Sequence, residues 1–133
     1  MKKETILHES GTRKKAIARA TLKPGKGKIK INGQLLDNFS NAVSRLRIKE
    51  PLIIAGDLIK NIDIDVVVKG GGVNSQADAI RLALARTLVK YDKKLKKSFD
   101  EYDRLLLVAD VRHKEVCKPN VSKARKKRQK SYR

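Results

Sequence analysis

The sequence predicts an α+β domain followed by a basic C-terminal extension, on three observations. Apolar and polar residues alternate across 13–23, 28–33 and 61–70, and period two marks strands with one buried face. Residues 75–90 repeat apolar positions at i, i+3, i+4 and i+7, the rhythm of a helix with one buried stripe. Beyond Arg112 no apolar period survives, and in the closing ARKKRQKSYR six of ten residues are Lys or Arg.

In RKKAIARATLK, Ala16, Ala18, Ala20 and Leu22 face one way, and Arg13, Lys15, Arg19 and Lys23 the other. Alanine is a weak strand former and a helix can be drawn through 14–22, but the following turn and the opposed charges favour a strand. PGKG (24–27) supplies that turn, and KIKING (28–33) resumes the alternation with Ile29 and Ile31 inward and Lys28 and Lys30 outward. Paired as a hairpin, the two strands present their cations on one solvent face. TILHE (5–9) is a further candidate strand nearby.

SNAVSRLRIK (40–49) reads as a short helix with Val43, Leu46 and Ile48 on its apolar side, limited by Pro51. PLIIAGDLI starts a second helix on that proline, weakened by Gly56. NIDIDVVVKG (61–70) is the most β-branched segment and the expected centre of the sheet, with Ile62, Ile64, Val66 and Val68 on one face and Asp63 and Asp65 on the other. Ser75 and Asp78 form a capping box for the helix that follows. Its stripe is Ala77, Ile80, Ala83, Leu84, Thr87, Leu88 and Tyr91, with Gln76, Arg81, Leu82 and Arg86 off it or at its edge. YDKKLKKSFDEY is a charged connector, helical or irregular, and RLLLVAD (104–110) a short final strand. Residues 118–133 are an extension ordered only by what it touches.

The 133 residues suit one domain, and 33 Lys and Arg against 14 acids give a formal charge of +19. Residues 1–34 hold ten basic side chains and two acids, 35–111 hold 13 and 11, and 112–133 hold ten and one. The centre is therefore balanced like an ordinary folded domain, while both flanks look like contact surfaces for a polyanion. No run approaches the length of a membrane span, MKKETILHESG lacks the apolar segment of a secretory signal, and the single cysteine, Cys117, permits no internal disulfide or zinc ribbon.

An enzyme needs a constellation, and none is legible. His8 and His113 lie outside any metal-ligand spacing; HKEVC sets His113 four residues from Cys117, which a surface histidine and an incidental thiol explain. Asp63/Asp65 and Asp100/Asp103 read as a strand's solvent face and a charged connector. No metal or cofactor is expected. The three glycines Gly70–Gly72 match neither a dinucleotide fingerprint nor a P-loop, yet they permit close backbone approach at a helix start, where a nucleic-acid phosphate can sit. A glycine turn required only by chain geometry is the competing reading. With no Trp, three Tyr and two Phe, stacking platforms are missing, Phe39 and Phe99 serve the core, and shape and phosphate recognition of a folded RNA is the better match.

GTRKKAIARA (11–20), GKGKIKING (25–33), EPL (50–52), GGGVNSQADAIRLALARTLV (70–89), the AD-V-R of Ala109 to Arg112 and the terminal RQKSYR resemble, in order and over the whole chain, the family of the ninth protein of the small ribosomal subunit, ribosomal protein S9, in archaeal-like wording. The resemblance implies a four- or five-stranded mixed sheet with helices on one side and a left-handed βαβ crossover, like the second domain of ribosomal protein S5. It implies a globular rRNA-binding domain over 1–112 and a tail over 113–133 reaching toward the P site. It also implies a cytoplasmic protein of the small subunit that binds the 3′ major domain, or head, beside neighbouring head proteins, without a membrane and without homo-oligomers.

The rRNA-facing residues carried over are Arg13, Lys14, Lys15, Arg19, Lys23, Lys26, Lys28 and Lys30, then Gly70, Gly71, Gly72, Gln76 and Arg81. In the tail they are Lys118, Lys123, Arg125, Lys126, Lys127 and Arg128, while Lys130, Ser131, Tyr132 and Arg133 would face P-site tRNA. The chain departs from the family pattern where relatives have further glycines and an aromatic; Cys117, Pro119, Asn120, Val121 and Ser122 stand there, making the route stiffer. A free-standing nonspecific RNA- or DNA-binding protein with a basic arm is the alternative.

Overall fold

A computed structural model describes residues 6–127 and 129–132. The N-terminal strand β1 (Leu7–Arg13) turns at Lys14–Lys15 into β2 (Ala16–Pro24), so Arg13 belongs to the first strand and not to the second. Alternation holds along β2: Ala16, Ala18, Ala20 and Leu22 are buried, while Ile17 and Arg19 are exposed.

The partner expected for β2 is corrected by the structure. β3 (Ile29–Ile31) does bury Ile29 and Ile31, but β5 (Ile62–Lys69) lies between it and β2, antiparallel to β2 and parallel to β3. The short β4 (Gln34–Leu35) closes the far edge, giving the mixed order β1-β2-β5-β3-β4. PGKG therefore carries the chain across the end of β5. Gly25 and Gly27 donate to the carbonyls of Asn61 and Ile62, and the Asp63 carboxylate accepts the N–H groups of Lys26 and Lys28 at 2.8 Å. The richest β-branched strand takes the centre because it can bury a full face and use both hydrogen-bonding edges. Asn32 extends the pairing past β3, its side chain exchanging two hydrogen bonds with the Val68 backbone.

From β4 a crossover through α1 (Ala42–Ala55) returns to β5, parallel to β3. Asn41 caps this helix by accepting from the Ser44 N–H. Two expectations fail here. The helix is continuous through Pro51, and it buries Ser44, Ile48, Pro51, Leu52 and Ala55 while Val43 and Leu46 stay exposed. A proline inside a helix forfeits one hydrogen bond, and packing of the Pro51 ring and Leu52 into the interior offsets that loss. The helix ends at Gly56, whose φ of 59° suits glycine.

The long helix α2 (Val73–Tyr91) crosses the inner face of the sheet and buries nine residues from Ala77 to Leu88. That buried face is wider than a single stripe, because α1 and the segment after α3 cover its other side; hence Leu82 is buried, while Tyr91 lies past the last covered turn and is exposed. The helix starts at Gly72 with no side-chain cap, so the capping box is not formed: Ser75 lies inside the first turn, and Asp78 turns to Arg13 and Arg47. The charged connector is the helix α3 (Leu95–Tyr102), which buries Phe99. The final strand is absent; Arg104–Leu106 form a 3-10 turn that inserts Leu106, because the Asp103 carboxylate caps the Leu105 N–H. Beyond Leu106 the described residues contain neither helix nor strand.

The result is an α+β fold, a five-stranded mixed sheet with its helices on one side and basic residues in the C-terminal region. Leu84, fully buried at the middle of α2, tests the packing. Leu84→Ala should lower the unfolding free energy by about 2–5 kcal/mol in urea denaturation, a large share of a small domain's stability; a loss below about 1 kcal/mol would contradict this placement.

Candidate nucleic-acid interface

The sheet leaves its outer face open. Arg19 of β2, Lys30 of β3 and Lys69 of β5 project there with His8, around exposed Ile17 and Val67. Register explains the grouping: Arg19 is opposite Val67, and Lys30 and Thr21 are both opposite Asp65. Arg19 and Lys30 thus share a face although β2 and β3 are not neighbours, with Lys69 on β5 between them. Two acids interrupt it. Asp65 pairs with Lys23 at 3.9 Å, and Asp63 is held below the usual carboxylate range by the N–H groups of Lys28 and Lys26, so it clamps the turn rather than a ligand.

A second cationic region lies at the end of the sheet, where the β1–β2 turn meets the glycine turn before α2. A cleft of about 700 Å³ there is lined by Arg13, Lys14, Lys15, Gly71, Gly72, Ser75, Arg112, His113 and Lys114. The glycines are required by contact. A methyl added at Gly70 would lie 2.5 Å from the Lys15 carbonyl oxygen, and one at Gly71 2.9 Å from the Ala16 side chain, with φ of 77° and 69°. Gln76 donates its side-chain amide to the Gly70 carbonyl and fixes the turn. The lysines therefore stand beside the uncapped first turn of α2, whose N–H groups carry partial positive charge.

Two of the sequence-selected arginines are engaged elsewhere. Arg13 lies on the inner side of β1, its side chain only 16% exposed, pairing with Asp110 at 3.5 Å and Asp78 at 3.7 Å. Arg81, 14% exposed, bridges Glu50 and Asp103. Removing a cation from such a partly buried pair strands its carboxylates, a cost of up to about 3–5 kcal/mol for fully buried pairs and less here. Both guanidiniums are thus held by carboxylates of their own domain, although Arg13 also borders the cleft. The Arg112 side chain, then its backbone N–H, and more weakly Arg13, hold the Asp110 carboxyl far below the usual carboxylate range against its partial burial.

In the extension Lys118, Lys123, Lys126, Lys127, Lys130, Ser131 and Tyr132 are exposed, and Arg125 forms a fork with Glu115 at 2.6 Å. Arg128 and Arg133 lie outside the described residues. Lys26 and Lys28 are also exposed. Sequence reading overlooked Lys69 and Lys114; the period of β5, which puts Lys69 with Asp63, Asp65 and Val67, was the signal for the first, while Lys114 reaches its cleft only through the tertiary fold. Among the described residues no helix is long and apolar enough to cross a membrane, and no group of three His, Cys, Asp or Glu is arranged to hold a metal ion.

An open cationic sheet face and a basic extension on a one-sided α+β domain are the electrostatic footprint of a nucleic-acid-binding protein. The family pattern described as ribosomal protein S9/S16 matches residues 11–133. A small ribosomal subunit protein uS9 of Methanothrix thermoacetophila is 48% identical over 130 residues, covering 96% of this chain and 98% of its own length. The protein of that name from Methanococcus maripaludis strain C7 is 48% identical over 132 residues, with the same coverage. That from Pyrobaculum aerophilum is 46% identical over 130 residues, covering 96% and 92%. The chain belongs to the ribosomal protein S9/S16 family, a family of structural ribosomal proteins and not of enzymes, and its relatives here are archaeal.

Proposed function

We propose that the chain is a structural constituent of the small ribosomal subunit that binds head rRNA through its domain, residues 1–112, and extends residues 113–133 toward P-site tRNA. The observation that carries the rRNA reading is the division of charge. Arg13, Arg47 and Arg81 are matched by carboxylates, whereas Lys14, Lys15, Arg19, Lys26, Lys28, Lys30, Lys114 and Lys118 have no ion-pair partner among the described residues. Cations left unmatched on one face and one end neutralise phosphates without requiring base readout. The head location, the neighbouring head proteins, the cytoplasmic setting and the tRNA contact rest on the resemblance of the motifs to the family pattern.

Co-sedimentation tests this reading against a free-standing nonspecific binder. The protein should stay with small subunits through a high-salt wash, whereas affinity that is chiefly counterion release is lost there. Arg19→Glu with Lys28→Glu should reduce incorporation into subunits and leave the urea midpoint of the isolated protein nearly unchanged, since both side chains are exposed. Normal incorporation would remove the outer sheet face from the interface.

Deleting Lys130 to Arg133 should leave rRNA binding nearly intact and speed dissociation of P-site tRNA from purified small subunits at matched ionic strength. The effect should be modest, because each phosphate contact is screened by salt. Deleting from Lys123 onward should also impair assembly. Equal tRNA off-rates for full-length and shortened protein would leave the tail as an rRNA ligand only.

A further inference from the structure

We propose that Arg13 is a positioning residue: with Arg86 it fixes the point and the direction at which the basic extension leaves the domain. After Leu106 the backbone has no ladder or helix of its own to hold it, and groups on β1 and α2 take that place. Arg86 donates through Nε to the Leu107 carbonyl at 3.2 Å and through a terminal nitrogen to the Ser10 carbonyl at 3.0 Å, joining the outgoing chain to β1. Three residues further on, Asp110 is met by Arg13 at 3.5 Å, and the Arg13 guanidinium also lies 3.4 Å from the Arg112 carbonyl as its donor. The segment is thus tied at Leu107, Asp110 and Arg112.

Arg13 is itself held on its other side by Asp78 of α2, which Arg47 of α1 also grips at 3.0 Å. A guanidinium can serve these partners together because it offers five donors in a planar fork; a lysine ammonium is a single point charge. Asp110 completes the tie by accepting the Arg112 N–H at 3.0 Å and its guanidinium at 2.6 Å, which folds residues 110–112 into a local turn. The next residue after Arg13, Lys14, has φ of 52° and an exposed side chain. Adjacent cations therefore divide the work: Lys14 faces outward, and Arg13 anchors the exit.

The anchoring stands apart from the proposed function; only its consequence for tRNA rests on that reading. The test uses the free full-length protein with Cys117→Ser and nitroxide labels at Val111→Cys and Ser98→Cys, both exposed positions. Pulsed electron spin resonance then reads the distance from α3 to the exit. Arg13→Gln and Asp110→Asn should each shift and broaden that distribution, while Lys14→Gln, which removes the same charge, should leave it unchanged. Urea unfolding checks that each variant is folded. If Arg13→Gln does not fold, Asp110→Asn, which keeps the Arg13–Asp78 pair, decides by the same criterion. Distributions that overlay the parent for the folded variants, or an equal shift in Lys14→Gln, would overturn the assignment. A shifted exit with unchanged tRNA off-rates would retain the anchor and count against the tRNA contact instead.

Discussion

The close approach of α2 to the first two strands is the constraint on which the rest of the structure depends. A methyl added at Gly11 would sit 2.3 Å from the Ala79 carbonyl oxygen and 2.6 Å from the Ala83 nitrogen. Ala16, Ala18 and Ala20 on the sheet and Ala79 and Ala83 on the helix keep the rest of that interface shallow. Small residues bury little apolar area each, at about 25 cal/mol per Å². Larger side chains (Leu22, Ile48, Ile62, Ile64, Ile80, Leu84, Leu88, Phe99 and Leu106) surround the contact and supply most of the buried surface. The short distance brings Asp78, Arg81 and Arg86 of α2 within reach of β1 and of the chain leaving α3. It also presses the glycine turn onto the β1–β2 turn, and the lysine-lined cleft follows from that contact.

Charge is then divided by depth rather than by position in the sequence. Arg13 and Arg81, near the interior, meet carboxylates in chains, Arg47–Asp78–Arg13–Asp110–Arg112 and Glu50–Arg81–Asp103, the first of which runs out to the exposed Arg47 and Arg112. The planar fork suits these shared sites, whereas the outer face and the extension use mainly lysine, a hydrated and flexible point charge. Repulsion among the outer cations destabilises the compact state and is relieved when a polyanion binds. The interior chains add little net charge and can hold the fold with or without a ligand.

Much of this was legible from period and composition. Alternation identified β2, β3 and β5 and their buried faces, and β-branching identified β5 as the centre. The errors have physical causes. PGKG looks like a hairpin turn because local chemistry is blind to a strand arriving later in the chain, and β5 claims the edge that β3 was expected to share. Pro51 suggested a break that packing of its ring overrides. Val43 and Leu46 misled the phase of α1, since apolar residues at a helix's outer face look locally like those of its inner face. For the site, period two put Arg19, Lys28 and Lys30 outside correctly. Arg13 was misphased by assigning it to β2, and Arg81 was read as a cation without its distant partners, Glu50 and Asp103. Ion pairs between elements leave no local signature.

The extension inverts the logic of the domain. It lacks apolar residues at any period, so burial cannot offset the roughly 1–2 kcal/mol per residue that backbone ordering costs. Its order must come from the partner, and what the domain can contribute is the origin. Even a fully flexible chain of this length would explore a root-mean-square span of roughly 25 Å, and repulsion among the cations of this one extends it further. If its starting point also wandered, the concentration of its end at any fixed target would fall further, as it does for a tethered ligand whose linker is too loose. Holding the chain at Leu107, Asp110 and Arg112 removes that second source of spread. The carboxylate at Asp110, an unexpected group beside a cationic tail, is the feature that makes such an origin possible, because it gives Arg13 and Arg112 a common point to grip.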